Sequence, residues 1–209
     1  MKLFILVGLM LLAGGLCAAM KEIPMKITDN LESVVADVKD LRELGNFSDA
    51  TYWDIRSSSH LKTQKGHSYD AAMVNDGRID TAWVEGAAKQ GVGEYLEFVF
   101  TKTHWEKYGP VSSHPFHAIG KIVIVNGYAK TEETWSANSR VKTFKVYLNE
   151  NLLFLLQLQD SRDIQTVYLD SAAAIKIQPE DRLRFEIAEI YPGRKFSDTA
   201  ITEIVLSHD

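Results

Sequence analysis

The segment Asn75-Asp76-Gly77-Arg78-Ile79-Asp80-Thr81-Ala82-Trp83-Val84-Glu85-Gly86 sets oxygen-bearing side chains on both sides of a glycine. Oxygen ligands on alternate residues around a glycine turn suit a hard cation such as Ca2+. Asp76 offers a carboxylate, Thr81 a hydroxyl, and the loop backbone its carbonyls. Asn-Asp-Gly is equally an ordinary turn sequence, so a capped turn over Trp83 stands beside the metal loop as an even alternative. His104, His114 and His117 raise zinc as a second chemistry. Pro115 bars the regular helix that would bring His114 and His117 onto one face, and no fourth ligand is identified, so zinc is the weaker reading. No Gly-x-Ser-x-Gly elbow, P-loop or GxGxxG run occurs. A Ser-His-Asp triad is recognised by geometry and stays open, and the acids are too many to single out a glycosidase pair.

These residues sit in a chain of 209 residues that is 45% apolar, with 23 basic and 28 acidic side chains and one cysteine. That length suits one domain, or one domain with a small appendage. Charged residues at 24% and a mean hydropathy of −0.13 exclude a disordered acidic chain and a polytopic membrane protein. A net charge of −5 and a pI near 5.7 argue against a nucleic-acid partner, which needs a basic face. A lone cysteine excludes an internal disulfide and every multi-cysteine metal site.

Residues 1–19 run from Lys2 through an apolar stretch, Leu3 to Leu16, to the small residues Cys17, Ala18 and Ala19. This is the order of a secretory signal peptide, and the stretch is short for a bilayer span. Cleavage before Met20 is the natural site. Lipid anchoring at Cys17 is disfavoured by the bulky Leu16 before it. The expectation is an exported protein, periplasmic or secreted, with no transmembrane segment after cleavage. It would then carry no cysteine and would rely on its core or a bound metal for stability.

Thr28, Asp29 and Asn30 can cap a helix, with Glu32 in its first turn. Leu31, Val34, Val35, Val38, Leu41 and Leu44 recur at helical spacing up to Gly45, which predicts one helix of about 14 residues docked on the domain within an extension spanning 20–50. From Tyr52 the period becomes two. Leu96, Phe98 and Phe100 share a face, as do Phe144, Val146 and Leu148, and Leu183, Phe185 and Ile187. Ile122–Val125 reads as a strand buried on both faces, and Ile204 and Leu206 close the chain. The prediction for 51–209 is a mainly β domain, an antiparallel sandwich of about eight strands. Residues 102–118 read as an extended loop.

The run Ser57-Ser58-Ser59-His60-Leu61-Lys62, followed by Asp76-Gly77 and Thr81-Ala82-Trp83, resembles the opening of discoidin-like domains (coagulation-factor C-type, galactose-binding-like). Those are jelly-roll sandwiches that commonly bind glycans. Gly91-Val92-Gly93-Glu94, Val125–Lys130, Asn138–Lys142, Ile190-Tyr191-Pro192-Gly193 and Thr199–Ile204 are similar to the subgroup named for the translocation domain of streptococcal NAD glycohydrolase, over roughly 52–208. The resemblance implies a jelly roll with Ca2+ beneath the Asp76 loop. The ligands it implies are Asp76, Thr81, Glu203 and the carbonyls of Met73, Arg78 and Thr202. Such an ion is structural rather than catalytic and ties the first strands to the last. The resemblance also implies a non-enzymatic protein, because NAD glycohydrolase activity belongs to a separate catalytic domain for which the mature chain has no room.

Glycan sites need aromatic faces for stacking and polar groups aimed at hydroxyls. Trp135, Asn138, Arg140 and Lys142 cluster after Asn126-Gly127-Tyr128, and Trp105 lies in the 102–118 loop. Each has a plainer role available: Trp83 as core, Glu85 as a buried hydrogen-bond anchor, Arg140 as partner to an acid. The leading expectation is an exported carbohydrate-binding module whose partner is a glycan or glycosylated surface. The contrasting ones are an envelope module that binds another protein and a small secreted metal-dependent hydrolase using the histidine-rich loop.

Overall fold

The computed structural model describes residues 20–37, 40–44, 53–102, 106 and 117–207. The described residues form β1 (Glu22–Pro24), β2 (Lys26–Asp29), α1 (Leu31–Asp37), β3 (Trp53–Ser57), β4 (Trp83–Val84), β5 (Tyr95–Phe100), β6 (His117–Ile119) and β7 (Lys121–Asn126). They continue through α2 (Glu132–Ala137), β8 (Ser139–Leu148), β9 (Asn151–Gln157), β10 (Ile164–Tyr168), β11 (Ile175–Ile177), β12 (Arg182–Tyr191) and β13 (Thr199–Ser207). The long strands lie where the alternation places them. The additional ones, β1, β2, β4, β6 and β11, have two to four residues, too few for a period to register.

Hydrogen bonds order the strands β2-β10-β7-β13-β8-β12-β5-β3, with β9 beside β8, β1 on β9, and β4 on β13. The central join is short. β13 meets β8 in parallel only at Thr199 and Ala200, then runs along β7 from Glu203 to Ser207. The two halves fold face to face into a sandwich. Phe98, Phe144 and Phe185 from one half meet Ile122, Ile124, Ile204 and Leu206 from the other in a single core. Phe185 contacts both Phe98 and Phe144 edge-to-face at 5.7 Å. Each such side chain, fully removed from water, contributes about 1.5–3 kcal/mol.

β7 is buried on both faces, as its unbroken apolar run predicts. Its valines, Val123 and Val125, face a second cluster with Leu31, Leu41, Ala129, Ile164 and Val205. The N-terminal segment therefore covers the outer face of this half, yet not as one helix. β1 pairs in parallel with β9 and β2 antiparallel with β10. α1 begins where expected, with the Ser33 amide donating to Asn30 Oδ1 at 3.0 Å, but it ends at Asp37, and Leu41–Leu44 form a separate 3₁₀ turn. The turn is set by one local and one tertiary bond. The Asp40 carboxylate accepts from the Arg42 amide at 2.9 Å, and the Leu41 amide donates to the Gly77 carbonyl at 3.0 Å rather than to a preceding helical turn.

Among the described residues, no helix is long and apolar enough to cross a membrane. The expected signal segment 1–19, Val38, Gly45, His104, Trp105 and His114 lie outside the described residues. His117 is on β6 with its ring edge-to-face against Phe100 at 5.5 Å.

Candidate functional site

The Asp76 loop is shaped by hydrogen bonds that begin before it. Asp70 caps the 3₁₀ helix Ala71–Asn75 by accepting from the Ala72 amide. That helix carries Met73 and delivers Asn75, buried and donating through Nδ2 to the Ile204 carbonyl of β13 at 3.1 Å. Asp76 ends the helix in right-handed conformation, and Gly77 turns the chain with φ +76°. That left-handed angle favours glycine. The Thr81 hydroxyl donates to both Asp76 carboxylate oxygens, at 2.8 and 2.9 Å, and lies 3.4 Å from the Arg78 carbonyl. The Arg78 amide also donates to Asp76 Oδ1, while its exposed guanidinium pairs with Asp80.

β13 brings Glu203 beneath this turn. Glu203 is 1% exposed, and its Oε2 accepts from the Gly77 amide at 3.2 Å. Its Oε1 is buried without a hydrogen-bond partner, as is Asn75 Oδ1. Burial, and then the neighbouring Asp76 charge, hold the Glu203 carboxyl well above its ordinary value. Burial likewise raises Asp76, against the opposing bonds from Thr81 and Arg78. The hydroxyl of the preceding residue, Thr202, is committed elsewhere: it donates to the Gly127 carbonyl at 2.7 Å and accepts from the Ala129 amide at 2.8 Å. Two buried acceptors without donors, beside two carboxylates whose charge is disfavoured, are what a hard cation relieves. The donor set is all oxygen, which fits Ca2+ rather than zinc. Among the described residues there is no cluster of three or more His, Cys, Asp or Glu side chains suited to a metal.

The N-terminal segment crosses the same loop. A Cβ on Gly77 would overlap the Asp40 carboxylate and lie 3.1 Å from Arg42 Nε. Asp40 and Arg42 form a forked ion pair, and Arg42 also feels the charges of Glu203 and Asp76. Composition and spacing gave no signal for either residue, because the contact joins positions far apart in the chain.

Next to the loop is a cleft of about 260 Å³. Its apolar walls are Leu61, Tyr69, Val84, Tyr128 and Phe196, and its polar groups come from Gln64, Thr134, Asn138 and Asp198. Tyr69 and Tyr128 meet edge-to-face at 6.4 Å, and the Tyr128 hydroxyl donates to the Asp80 carbonyl at 3.1 Å, which ties the cleft wall to the Asp76 loop. α2 positions Asn138. Thr131 and Thr134 form a capping box at its start, and Asn138 at its end donates through Nδ2 to the Thr134 carbonyl at 2.8 Å. Phe196 is 45% exposed at the rim.

Of the expected ligand contacts, Asn138 lines this cleft. Trp135, Arg140 and Lys142 are placed differently, and Trp105 lies outside the described residues. Arg140 lies 4.5 Å over the Trp135 ring, and Trp135 Nε1 donates to the Asn126 carbonyl. Arg140 is 6% exposed and donates through Nε and Nη2 to Asp160 at 2.8 and 3.0 Å. Lys142 pairs with Glu189 on the surface. Trp83 is fully buried with its indole donating to the Ser59 carbonyl, and Glu85 is a buried acceptor for the Ala87 and Thr199 amides. Tyr69, Tyr128 and Phe196 form the aromatic walls instead. Tyr128 follows Asn126 and Gly127, but nothing in the linear order sets it beside Tyr69.

The family described as NAD glycohydrolase translocation F5/8 type C domain matches residues 46–207. No curated protein matches the sequence. Among solved structures, the module CpGH89CBM32-5 from Clostridium perfringens, in complex with GalNAc-β-1,3-galactose, superposes with TM-score 0.51 at 10% identity, covering 76% of this chain and 96% of its own. The family 32 carbohydrate-binding module of Streptococcus pneumoniae EndoD gives TM-score 0.51 at 12% identity, covering 76% and 98%. The Streptococcus pyogenes NAD+-glycohydrolase translocation domain gives TM-score 0.38 at 22% identity, covering 60% and 95%. At such identities the first two likenesses are ones of fold, a discoidin-like sandwich. With most of its length matched, the chain belongs to the NAD glycohydrolase translocation F5/8 type C domain family.

Proposed function

We propose that the chain is an exported, non-catalytic recognition module that binds a glycan in the Tyr69–Tyr128–Phe196 cleft and holds a structural Ca2+ in the Asp76 loop. The observation that carries the reading is the cleft itself. Aromatic walls suit the C–H faces of a sugar, and Asn138, Gln64 and Asp198 offer donors and acceptors for its hydroxyls. At about 260 Å³ it suits a terminal sugar unit rather than a long chain. A fold neighbour solved with a disaccharide supports the ligand class. The apolar stretch of 1–19 and a family named for translocation support export.

Asp76, Glu203, the Thr81 hydroxyl and the carbonyls of Met73, Arg78 and Thr202 would hold the ion. Its chemistry is charge neutralisation, tying the loop to β13. A glycan array with and without chelator tests the ligand. Calorimetric titration of the array hits then compares the wild type with Phe196→Ala and Asn138→Ala. Each substitution is expected to weaken binding about tenfold, the scale of one lost contact, with the circular dichroism spectrum unchanged. An array without hits, or hits that both variants bind as tightly as the wild type, overturns the glycan reading.

A further inference from the structure

The Asp76 loop faces a cation supplied by the chain itself. Residues 40–44 precede the family-matched region 46–207, yet they are fastened across Gly77 at several points. The Leu41 amide donates to the Gly77 carbonyl at 3.0 Å, and the Leu44 carbonyl accepts from Lys121 Nζ at 2.8 Å. Leu41 is 2% exposed within the outer cluster on β7. The absence of a side chain at Gly77 makes room for Asp40 and Arg42, and the amide of the same glycine holds Glu203. Glu203, almost wholly buried, has an oxygen with no donor. The strap thus brings one guanidinium to the Gly77 turn, where its charge is felt by both Glu203 and Asp76.

We propose that Arg42 is a built-in counter-charge for Asp76 and Glu203, competing there with an external divalent cation, and that Asp40 governs the competition by holding the Arg42 guanidinium. The inference rests on reading the Asp76 loop as a cation site. Asp40 takes Nε and Nη2 of Arg42 together, at 2.9 and 2.5 Å, so an entering ion meets a guanidinium already provided with an alternative partner. Both side chains are partly exposed, 24% for Arg42 and 32% for Asp40, which leaves the pair free to reorganise. At Glu203 the attraction of Arg42 exceeds the repulsion from Asp40, while Asp76 repels more strongly than either acts.

Removing Arg42 and removing Asp40 should therefore act in opposite directions. Arg42→Gln deletes the competing charge and frees the Asp40 carboxylate. Asp40→Asn frees Arg42 to turn fully toward Asp76 and Glu203. Even a screened unit charge acting on a divalent ion changes its affinity by about tenfold. The experiment is titration of the chelator-stripped, intact chain with CaCl2 in a calorimeter. The expected result is about tenfold tighter binding for Arg42→Gln and about tenfold weaker binding for Asp40→Asn. A second readout needs no variant. Ca2+ should speed tryptic cleavage after Arg42 in the wild type, because the ion displaces the guanidinium from the loop.

Ca2+ binding by Arg42→Gln alone also supports the proposal, as the extreme of competition. Wild-type binding with both variants unchanged, or with the order reversed, overturns the competition and leaves the cation site standing. No binding by the wild type or by either variant overturns the cation site and the proposal together. Glycan capture on the array is a separate measurement and is not decided by any of these outcomes.

Discussion

Replacing Glu203 with Gln tests the electrostatics beneath the Asp76 loop. In the folded chain Glu203 is 1% exposed, with one oxygen accepting from Gly77 and the other from nothing. Burial and the Asp76 charge outweigh the attraction of Arg42, so the folded carboxyl titrates well above the ordinary glutamate value of 4.5. A folded state that holds its proton more tightly than the unfolded chain is at its most stable, as far as this group goes, below the unfolded pKa. It loses that stability as pH rises toward the folded pKa. Without metal, the wild type should lose stability from about the unfolded value upward. Gln keeps an oxygen for the Gly77 amide and removes the charge that burial and Asp76 disfavour. An unsatisfied buried polar group costs about 1–3 kcal/mol. In chelator at neutral pH, Glu203→Gln should gain about 2 kcal/mol, raising the Tm of a domain this size by about 4–8 °C. Calcium should invert the order, because an ion at about a hundredfold over its Kd adds about 2.7 kcal/mol to the wild type and little to a variant lacking the carboxylate. The assay is thermal denaturation followed by circular dichroism across a pH series, in chelator and in CaCl2. A variant that melts below the wild type in chelator at neutral pH refutes the reasoning, as does a wild type whose stability does not fall with rising pH.

Gly127→Ala should destabilise the domain by about 2–4 kcal/mol in urea, from a left-handed backbone and a crowded site. Its φ is +77°, and a Cβ there would stand 2.6 Å from Arg140 Cγ and 2.7 Å from Trp135 Cδ1. An unchanged urea midpoint would contradict that. Arg140→Lys should cost about 1–2 kcal/mol by the same measurement, since lysine lacks the planar fork that meets Asp160 and stacks on Trp135. Asp160 is 41% exposed, so screening discounts the ion pair and most of the loss comes from the stack and the Asn138 carbonyl contact. Glycan affinity in Arg140→Lys should stay close to that of the wild type, in contrast to Asn138→Ala.

What the sequence made legible follows the range of the interactions involved. β5, β7, β8 and β12 were readable because their inward positions are large, apolar and regularly spaced, and those are the buried ones. β2 carries four exposed residues and exists through pairing with β10, more than a hundred positions away, which no local period encodes. The apolar stripe read from Leu31 to Leu44 has its physical counterpart, since Leu31 and Leu41 bury in one cluster. The single helix drawn through it gave way to the bond between Leu41 and Gly77. Asp76 and Thr81 lie close in sequence and meet in space. Glu203 reached the site on paper only through family resemblance, and Asp40 and Arg42 had no such route because they lie before the matched region. Trp135 and Arg140 are residue types that often meet ligands, but here they stack on each other. The cleft is walled instead by tyrosines from two loops, joined only by the fold.

β13 explains why the loop and the cleft belong to one device. The strand is buried along all nine residues, so its side chains have fixed directions. Successive residues point to opposite faces, and the pair at its centre uses both: Thr202 grips the Gly127 and Ala129 backbone, and Glu203 grips the Gly77 amide. The Tyr128 hydroxyl closes the circuit by donating to Asp80 on the far side of the Asp76 turn. A shift of the Asp76 loop therefore pulls on Tyr128 directly through Asp80 and again through β13. Charge beneath the loop is an element of this circuit that solvent conditions can change, because Asp76 and Glu203 are raised above their ordinary values by burial. On the proposed reading, whatever neutralises those carboxylates, an ion or Arg42, would set how firmly the aromatic wall of the cleft is held.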